Sequence, residues 1–509
     1  MGTNYYTADS IGPGTRITPV SGDTYVILNN ITVGSTSGFG VYGAGNGELD
    51  FVIYGNLFGD NDGIFLSSDS ISANFDIAVG SNGSIVGVND GIEISGDFET
   101  SNGFASIQNA GLIQALQDDA IVADYFGSFD LVNTGEIRSV SSSYGSFAIF
   151  ANSANISIEN SGLIASSNEL GALHAGTLYW SPGLGGNFRL NNSGTISNLR
   201  SDGVAVVTTA RADDITNSGT INGDVLLGYV EESGDYAGDD DSFVNTGEVF
   251  GSVFMGGGDD VFAGETGRAS GPIHGGAGDD VIRSGLLNDI LVGGEGADEL
   301  WGGAGSDMAS YEDSAEGVRV SLKAGRGWFG DAQGDTLHEI ENLYGSARQD
   351  TLIGNEVNNT FFGGNADDIL NGLGGNDQLF GDNGDDNIMG GEGDDFIAGG
   401  RHRDRLTGGD GEDVFFYLDI LDSKPSNLER DNITDFTPGE DKIDLSQLGD
   451  LNFGGSAFTG TAGEIIHYHV AGGTRTVVEI DVDGDSVADF GILLSNAAHA
   501  MTAADFLFE

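Results

Sequence analysis

The sequence predicts an all-β protein built as a solenoid. Three parts are expected: a right-handed parallel β-helix over residues 1–254, a parallel β-roll over 255–416, and a β-rich C-terminal domain over 417–509. Three observations carry this. The second half repeats every nine residues, and the first half every 27 or so. Gly makes up 86 of 509 residues but Pro only 6, so turns are abundant and a collagen-like helix is excluded.

The first half repeats the motif N-x-G-x-I, as Asn109-Ala-Gly-Leu-Ile, Asn133-Thr-Gly-Glu-Ile, Asn160-Ser-Gly-Leu-Ile, Asn192-Ser-Gly-Thr-Ile and Asn217-Ser-Gly-Thr-Ile. Between the copies lie segments such as DGIFL, DGIEI and DAIVA, and others such as FDIAV and FDLVN. Three short alternating strands and three turns per repeat fit a three-faced parallel β-helix. Crossover chirality gives the right-handed sense. The recurrent Asn is expected to stack as a ladder from coil to coil. Asp118 and Asp119 could flank a glycosidic bond, but Asp62, Asp90 and Asp202 open equivalent turns, so a structural turn role is the expectation.

The roll is read from nonapeptides. Gly345 to Phe416 divides without a gap into eight of them, from GSARQDTLI to GGDGEDVFF, and Gly275 to Ser310 gives four more in register. Six Gly-rich residues form a turn and three form a short strand whose one apolar side chain, at position eight, points inward. Two nonapeptides make one turn of the solenoid, so units n and n+2 stack about 4.8 Å apart. Position six is Asp in every unit except where Asn359 stands. Stacking brings these carboxylates together in pairs: Asp280/Asp298, Asp289/Asp307, Asp350/Asp368, Asp368/Asp386, Asp377/Asp395 and Asp395/Asp413. Residues 311–344 break the register and are expected to form a structural hairpin-like insertion.

A formal net charge of −61 excludes nucleic acid as a partner and demands neutralisation. Hard divalent cations suit Asp and carbonyl oxygens, and Ca²⁺ is the candidate. The candidate ligands are Asp260, Asp280, Asp289, Asp298, Asp307, Asp350, Asp368, Asp377, Asp386, Asp395, Asp404 and Asp413. Pairs using Asp404 are expected to be weak, because GGRHRDRLT has His402 where the pattern has Gly. The cluster Arg401, His402, Arg403 and Arg405 reads as an edge loop.

The nonapeptides resemble the RTX (haemolysin-type) calcium-binding repeat, G-G-x-G-x-D-x-U-x. The tail, with DNITDFTPGEDKIDLSQL, DVDGDSVADFGILL and MTAADFLFE, resembles the C-terminal domain of serralysin-type metalloproteases. That resemblance implies an uncleaved type I secretion signal ending in Asp505-Phe506-Leu507-Phe508, and hence a type I secretion apparatus as a partner and an extracellular or cell-surface location. The N-terminus shows neither a basic region nor an apolar core of a cleavable signal, no apolar run reaches membrane-spanning length, and there is no Cys for disulfides. The loop of Asp481, Asp483, Asp485 and Asp489 is open between a further cation site and a solvated turn.

No protease motif carries over: H-E-x-x-H is absent, and His338-Glu-Ile-Glu-Asn342 ends in Asn. His467 and His469 read as strand histidines. The β-helix motifs resemble autotransporter-type passenger repeats and some β-helical polysaccharide enzymes, among them mannuronan C5-epimerases, but the Tyr-Gly-x-Asp-Pro-His-type epimerase string is missing. The leading expectation is a non-enzymatic surface adhesin or surface-layer or matrix component, acting on cell-surface polysaccharide or by self-association. The alternative is a polysaccharide-active enzyme of the uronan epimerase or lyase class.

Overall fold

The computed structural model describes residues 2–508, apart from 45–46, 68–72, 97–102, 142–145, 168–170, 177–185, 201–202, 210–211, 231–234, 237, 471 and 497–499. Asp202 lies outside the described residues. The chain forms two compact units, Met1–Asp289 and Ile290–Glu509. Both are all-β and built mainly of short parallel strands; among the described residues the helical segments are short 3₁₀ turns, and no helix is long and apolar enough to cross a membrane.

In the first unit three rows of parallel strands wind into coils. One row is an 11-stranded sheet of the N-x-G-x-I segments. Its inward positions stack in register, Leu57 on Ile85, Ile85 on Ile113, Ile113 on Ile137 and Ile137 on Ile164, and all are fully buried. Burying such a side chain contributes about 1.5–3 kcal/mol, so one column of aliphatic residues holds each coil to the next. At the turn, Asn109 Nδ2 donates to Asn133 Oδ1, and the chain of bonds continues through Asn160, Asn192 and Asn217 to Asn245, each at 2.8 Å. The Asn Oδ1 also accepts the N–H of the Gly two residues on, as Asn160 does from Gly162 at 3.2 Å. A Cβ on Gly162 would run into the Gly135 carbonyl of the previous coil, so this turn requires Gly. The expected Asn ladder is therefore present, and it satisfies amide groups that burial would otherwise leave unpaired.

The second unit holds the roll. Leu352 pairs with Leu370, Leu370 with Ile388 and Ile388 with Leu406 on one face. Leu343, Phe361, Leu379, Ile397 and Phe415 stack on the other. Within the unbroken block each turn is two nonapeptides long, and the position-eight side chains fill the thin core. Outside one face, Tyr344, Phe362 and Phe380 form a stack with ring centroids 5.3 and 5.0 Å apart. The insertion contains a hairpin: Arg319–Ser321 runs antiparallel to Arg326–Trp328 and parallel to Thr351–Ile353, which lends the roll a strand. Beyond the repeats, Asp431–Ile433 and Lys442–Asp444 extend the two faces. Glu464–Val470, Arg475–Asp481 and Phe490–Leu494 form an antiparallel sheet that joins the first face. Phe506–Leu507 adds a last strand to the second.

Candidate metal centre

The Gly-rich turn and the short strand together fix where each position-six aspartate points. The strand that follows holds the backbone in register, and the side chain turns back under its own loop, where it is buried. One carboxylate oxygen serves the solenoid. Asp350 N–H donates to Asp368 Oδ1, Asp368 N–H to Asp386 Oδ1 and Asp386 N–H to Asp404 Oδ1, at 2.7–2.9 Å. On the opposite side, Asn359 N–H donates to Asp377 Oδ1, Asp377 to Asp395 and Asp395 to Asp413, at 2.8–3.0 Å. The roll thus carries two columns of carboxylates, each tied to the turn before it.

The second oxygen has no protein partner. Oδ2 of Asp368, Asp377, Asp386, Asp395, Asp404 and Asp413 is buried and without a hydrogen bond. An unpaired buried carboxylate costs several kcal/mol, so a regular column of them requires a compensating group. The first Gly of each unit leaves the space. A Cβ on Gly363 would stand 2.6 Å from Asp368 Oδ2 and 2.9 Å from the Gly381 carbonyl of the next turn; Gly372 faces Asp377 Oδ2 and the Gly390 carbonyl in the same way. Carboxylate and carbonyl oxygens therefore converge on one cradle, the donor set of Ca²⁺.

Asn359 departs from the pattern. Its Nδ2 donates to the Glu341 carbonyl at 2.8 Å. Its Oδ1 faces the Gly354 cradle beside the Gly372 carbonyl, as the second oxygen does in the other units, but accepts the Asn355 N–H, and the nitrogen stands where the others turn an oxygen to the preceding turn. Asp350 differs too: Oδ1 accepts Val318 N–H, and Oδ2 accepts Ser346 N–H and hydroxyl. The protein itself satisfies that carboxylate.

Burial, then neighbouring carboxylates, push the column upward in pKa. Asp368 rises to about 8, Asp386, Asp395 and Asp413 to about 7, and Asp377, by burial, to about 6. Burial also raises Asp350. In the first unit, Asp260 and Asp280 rise to about 7 for the same reasons, and burial raises Asp289. Asp280 Oδ1 accepts Asp260 N–H, and Asp289 Oδ2 accepts Gly285 N–H at 3.1 Å. In the second unit, Asp298 N–H donates to Asp335 Oδ1 and Asp307 N–H to Glu341 Oε2, so the insertion brings acids to both.

Asp404 sits inside the column despite the degenerate loop. His402 takes the Gly position with φ of 91°, the left-handed region, and the register holds. Asp404 N–H donates to Asp431 Oδ1 at 2.9 Å, and Asp413 N–H to Asp441 Oδ1 at 3.2 Å. Asp404 and Asp431 both have a buried, unpartnered Oδ2; burial drives both carboxyls far above the carboxylate range, with the Asp431 charge adding to it at Asp404 and the Asp422 charge at Asp431. Sequence reasoning missed Asp431, Asp441, Asp335 and Glu341.

Other candidates are placed differently. Asp481, Asp483 and Asp485 lie close together, with oxygens engaged by loop N–H groups such as Gly484 and Ser486 to Asp481. Asp119 Oδ1 accepts Phe147 N–H and Asp90 Oδ1 accepts Asp119 N–H, so both carry turn roles in the β-helix. His467 stacks on Phe453 and His338 on Trp301.

Comparison with known proteins agrees with this picture over the second half of the chain. Residues 271–508 match the family described as Peptidase M10 serralysin C terminal. Metallopeptidase AprA of Pseudomonas marginalis is 37% identical over 214 residues, which cover 40% of this chain and 39% of the relative's length. Two solved structures of subunits of the Azotobacter vinelandii mannuronan C5-epimerase are also similar. AlgE6R3 is 32% identical, covering 31% of this chain and 81% of that one with a TM-score of 0.18. AlgE6R2 is 31% identical, covering 30% and 92%, with a TM-score of 0.20. The chain thus carries an RTX, serralysin-type C-terminal domain on an all-β solenoid.

Proposed function

We propose that the protein is a secreted structural protein of the cell surface, an adhesin or surface-layer or matrix component, whose roll folds on calcium after type I export. The observation that carries the reading is the column of buried, unpartnered Oδ2 atoms from Asp368 to Asp413, each set in a cradle that a Cβ would fill. Asp260, Asp280, Asp289, Asp298 and Asp307 are assigned to the same kind of array, with Asp350 at an end that the protein closes itself. In a low-calcium cytosol these aspartates repel one another and keep the chain open for export. Outside the cell, millimolar Ca²⁺ matches weak extracellular sites with Kd of roughly 10⁻⁴–10⁻³ M, and binding only the folded form stabilises it by mass action.

The β-helix wall supports a structural over a catalytic role. One shallow cavity of about 330 Å³ is lined by Asn133, Thr134, Asn160, Ser161, Asn192 and Ser193 among others, a largely neutral polar surface. The acidic cluster of Asp90, Asp118 and Asp119 is the ground for the polysaccharide-active alternative, and two of its members serve neighbouring backbone. Incubation with alginate and pectin, with products read by mass spectrometry, separates the two readings: cleaved or epimerised polymer overturns the structural role. The calcium reading is tested by hydrogen exchange of the full chain in calcium and in chelator. Protection of residues 345–416 should appear with calcium, and full protection in chelator overturns it.

A further inference from the structure

The loop of the degenerate nonapeptide reverses the charge of its neighbours. In GGEGDDFIA the third to fifth positions are Glu392, Gly393 and Asp394, and in GGDGEDVFF they are Asp410, Gly411 and Glu412. In GGRHRDRLT, which lies between them, they are Arg401, His402 and Arg403, with Arg405 two residues on. Three of the chain's 18 Lys and Arg residues thus fall within five positions. The backbone beneath them is held by the solenoid. Arg401 N–H donates to the Asp382 carbonyl at 2.7 Å, Arg403 N–H to Asp385 Oδ1 at 3.2 Å and Arg405 N–H to the Asp386 carbonyl at 2.8 Å.

Contacts inside the chain do not account for this composition. His402 takes the left-handed region at φ of 91°, where the neighbouring units have Gly and where a side chain is disfavoured. All four side chains are exposed. The charges of Arg401 and Arg405 reach Asp422 and Asp435. Yet among the described residues none of the three guanidinium groups makes an ion pair or a hydrogen bond, whereas Lys323, Lys424 and Arg430 of the same unit are each paired with a Glu. Three arginines on a fixed backbone, in a chain with 79 acidic groups, are left facing outward. Guanidinium groups so placed take carboxylates in bidentate geometry.

A second copy of the chain offers the matching surface. Asp240, Asp259 and Asp279 are exposed on successive coils of the first unit. Asp259 N–H donates to Asp240 Oδ1 at 3.0 Å and Asp279 N–H to Asp259 Oδ1 at 2.9 Å, so the three form a column at about the 4.8 Å strand spacing. At physiological salt the Debye length is about 8 Å, so the charges that face each other across a contact outweigh the net charge of the two copies. We propose that the loop of Arg401, Arg403 and Arg405 in one copy docks on the column of Asp240, Asp259 and Asp279 in another. Loop and column are different surfaces, so the contact is heterologous, and copies join head to tail. This deepens the surface-layer or matrix reading, on which it rests, by naming the contact between copies.

The test uses the full chain in calcium, with assembly followed by sedimentation velocity and folding by circular dichroism on the same samples. Wild-type assemblies should grow with concentration at low salt and dissociate at high salt. Arg401→Glu, Arg403→Glu and Arg405→Glu together should weaken assembly roughly tenfold, the combined factor of three exposed ion pairs. Asp240→Lys, Asp259→Lys and Asp279→Lys together should do the same. A mixture of the two triple variants should assemble again, because each supplies the charge that the other lacks. If the Lys variant does not fold, Asn at the same three positions keeps the oxygens that accept backbone N–H and should likewise weaken assembly. Unchanged assembly in the Glu variant, or no assembly in a mixture of two folded variants, overturns the contact and leaves the surface-layer reading to another face. A wild-type chain that folds in calcium and stays monomeric at every concentration overturns the contact and leaves the calcium reading standing. Retention on immobilised alginate by the wild type and not by the Glu variant, without assembly, overturns the second copy in favour of an acidic polymer.

Discussion

Asp368 gives its backbone N–H to Asp386 Oδ1 at 2.7 Å, while Asp386 Oδ2, on the same carboxylate, is buried with no partner. The two oxygens of one side chain are thus placed differently: the first ties one turn to the next, and the second, without a protein partner, is the one we propose for the cation. Asn359 shows the alternative chemistry. Its amide oxygen takes the place of the second oxygen and is satisfied by the N–H of Asn355 in its own loop, while its nitrogen, in place of the first, donates to the Glu341 carbonyl.

Asp386→Asn should therefore lose calcium and gain stability without it. The Asn oxygen still accepts Asp368 N–H, and the uncompensated charge is gone. In chelator, denaturant unfolding should show the variant more stable by about 1–3 kcal/mol; in calcium, it should bind fewer ions than the wild type. A variant less stable in chelator would mean that the carboxylate is satisfied by the protein.

The pH dependence in chelator follows from raised carboxyls. The folded-state values, about 6 for Asp377, about 7 for Asp386, Asp395 and Asp413 and about 8 for Asp368, lie above that of a free aspartate. A raised acid binds more protons folded than unfolded, so its stabilisation is complete below the unfolded value near 4 and is lost as pH climbs through 6 to 8. Circular dichroism in chelator should show strand signal at pH 4 that falls towards pH 8. In calcium the trend reverses, since protons compete with the metal for the same oxygens.

Gly363→Ala isolates the cradle from the backbone. Gly363 does not lie in the left-handed region, so Ala is conformationally allowed. Its Cβ would sit 2.6 Å from Asp368 Oδ2 and 2.9 Å from the Gly381 carbonyl. Crowding of this kind costs roughly 1–3 kcal/mol, and the calcium midpoint should rise. Gly455→Ala, where nothing lies within 4 Å of the added Cβ, should leave it unchanged.

Removing residues from Ala503 onward should block export through a type I apparatus and leave calcium binding in place. It should also lower thermal stability. Phe506 is buried against Phe453 at 5.5 Å, and Asp505 Oδ1 accepts Gly439 N–H at 2.9 Å, so the segment closes the edge beyond Lys442–Asp444. Secretion of the truncated chain at wild-type levels would refute the signal assignment.

How much of this was legible depended on period. The stacking of every second nonapeptide, the buried position-eight residues and the Asn ladder follow from fixed spacing, because a solenoid repeats its geometry when its sequence repeats. Asp431 and Asp441 escaped because they follow Asp404 and Asp413 at intervals of 27 and 28 residues. The loops 417–430 and 434–440 lengthen the last turns without moving the strands out of line. The backbone bond from Asp241 to Asp260 escaped for a like reason, spanning 19 residues and not 18. The place of Asp404 could not be read because the pattern at its loop breaks at His402, and a single non-Gly residue at positive φ repairs it.

That repair changes which site matters most. Each turn buries its apolar side chain only against its neighbours, so sites couple along the solenoid. On sequence alone, Asp386→Ala is expected to reduce the cooperativity of calcium-induced folding more than Asp280→Ala, with Asp404→Ala the mildest because its loop is degenerate. The structure reorders the last of these. Asp404 receives Asp386 N–H and gives its own to Asp431, and Asp404 and Asp431 each carry a buried Oδ2 without a partner. Its loss would disconnect the repeats from Asp431–Ile433, the strand through which the antiparallel sheet is attached. Asp404→Ala should therefore match Asp386→Ala in calcium titrations followed by circular dichroism, and both should exceed Asp280→Ala. A mild Asp404→Ala would place the end of the functional column at Asp386, and equal effects in all three would mean that the sites bind independently.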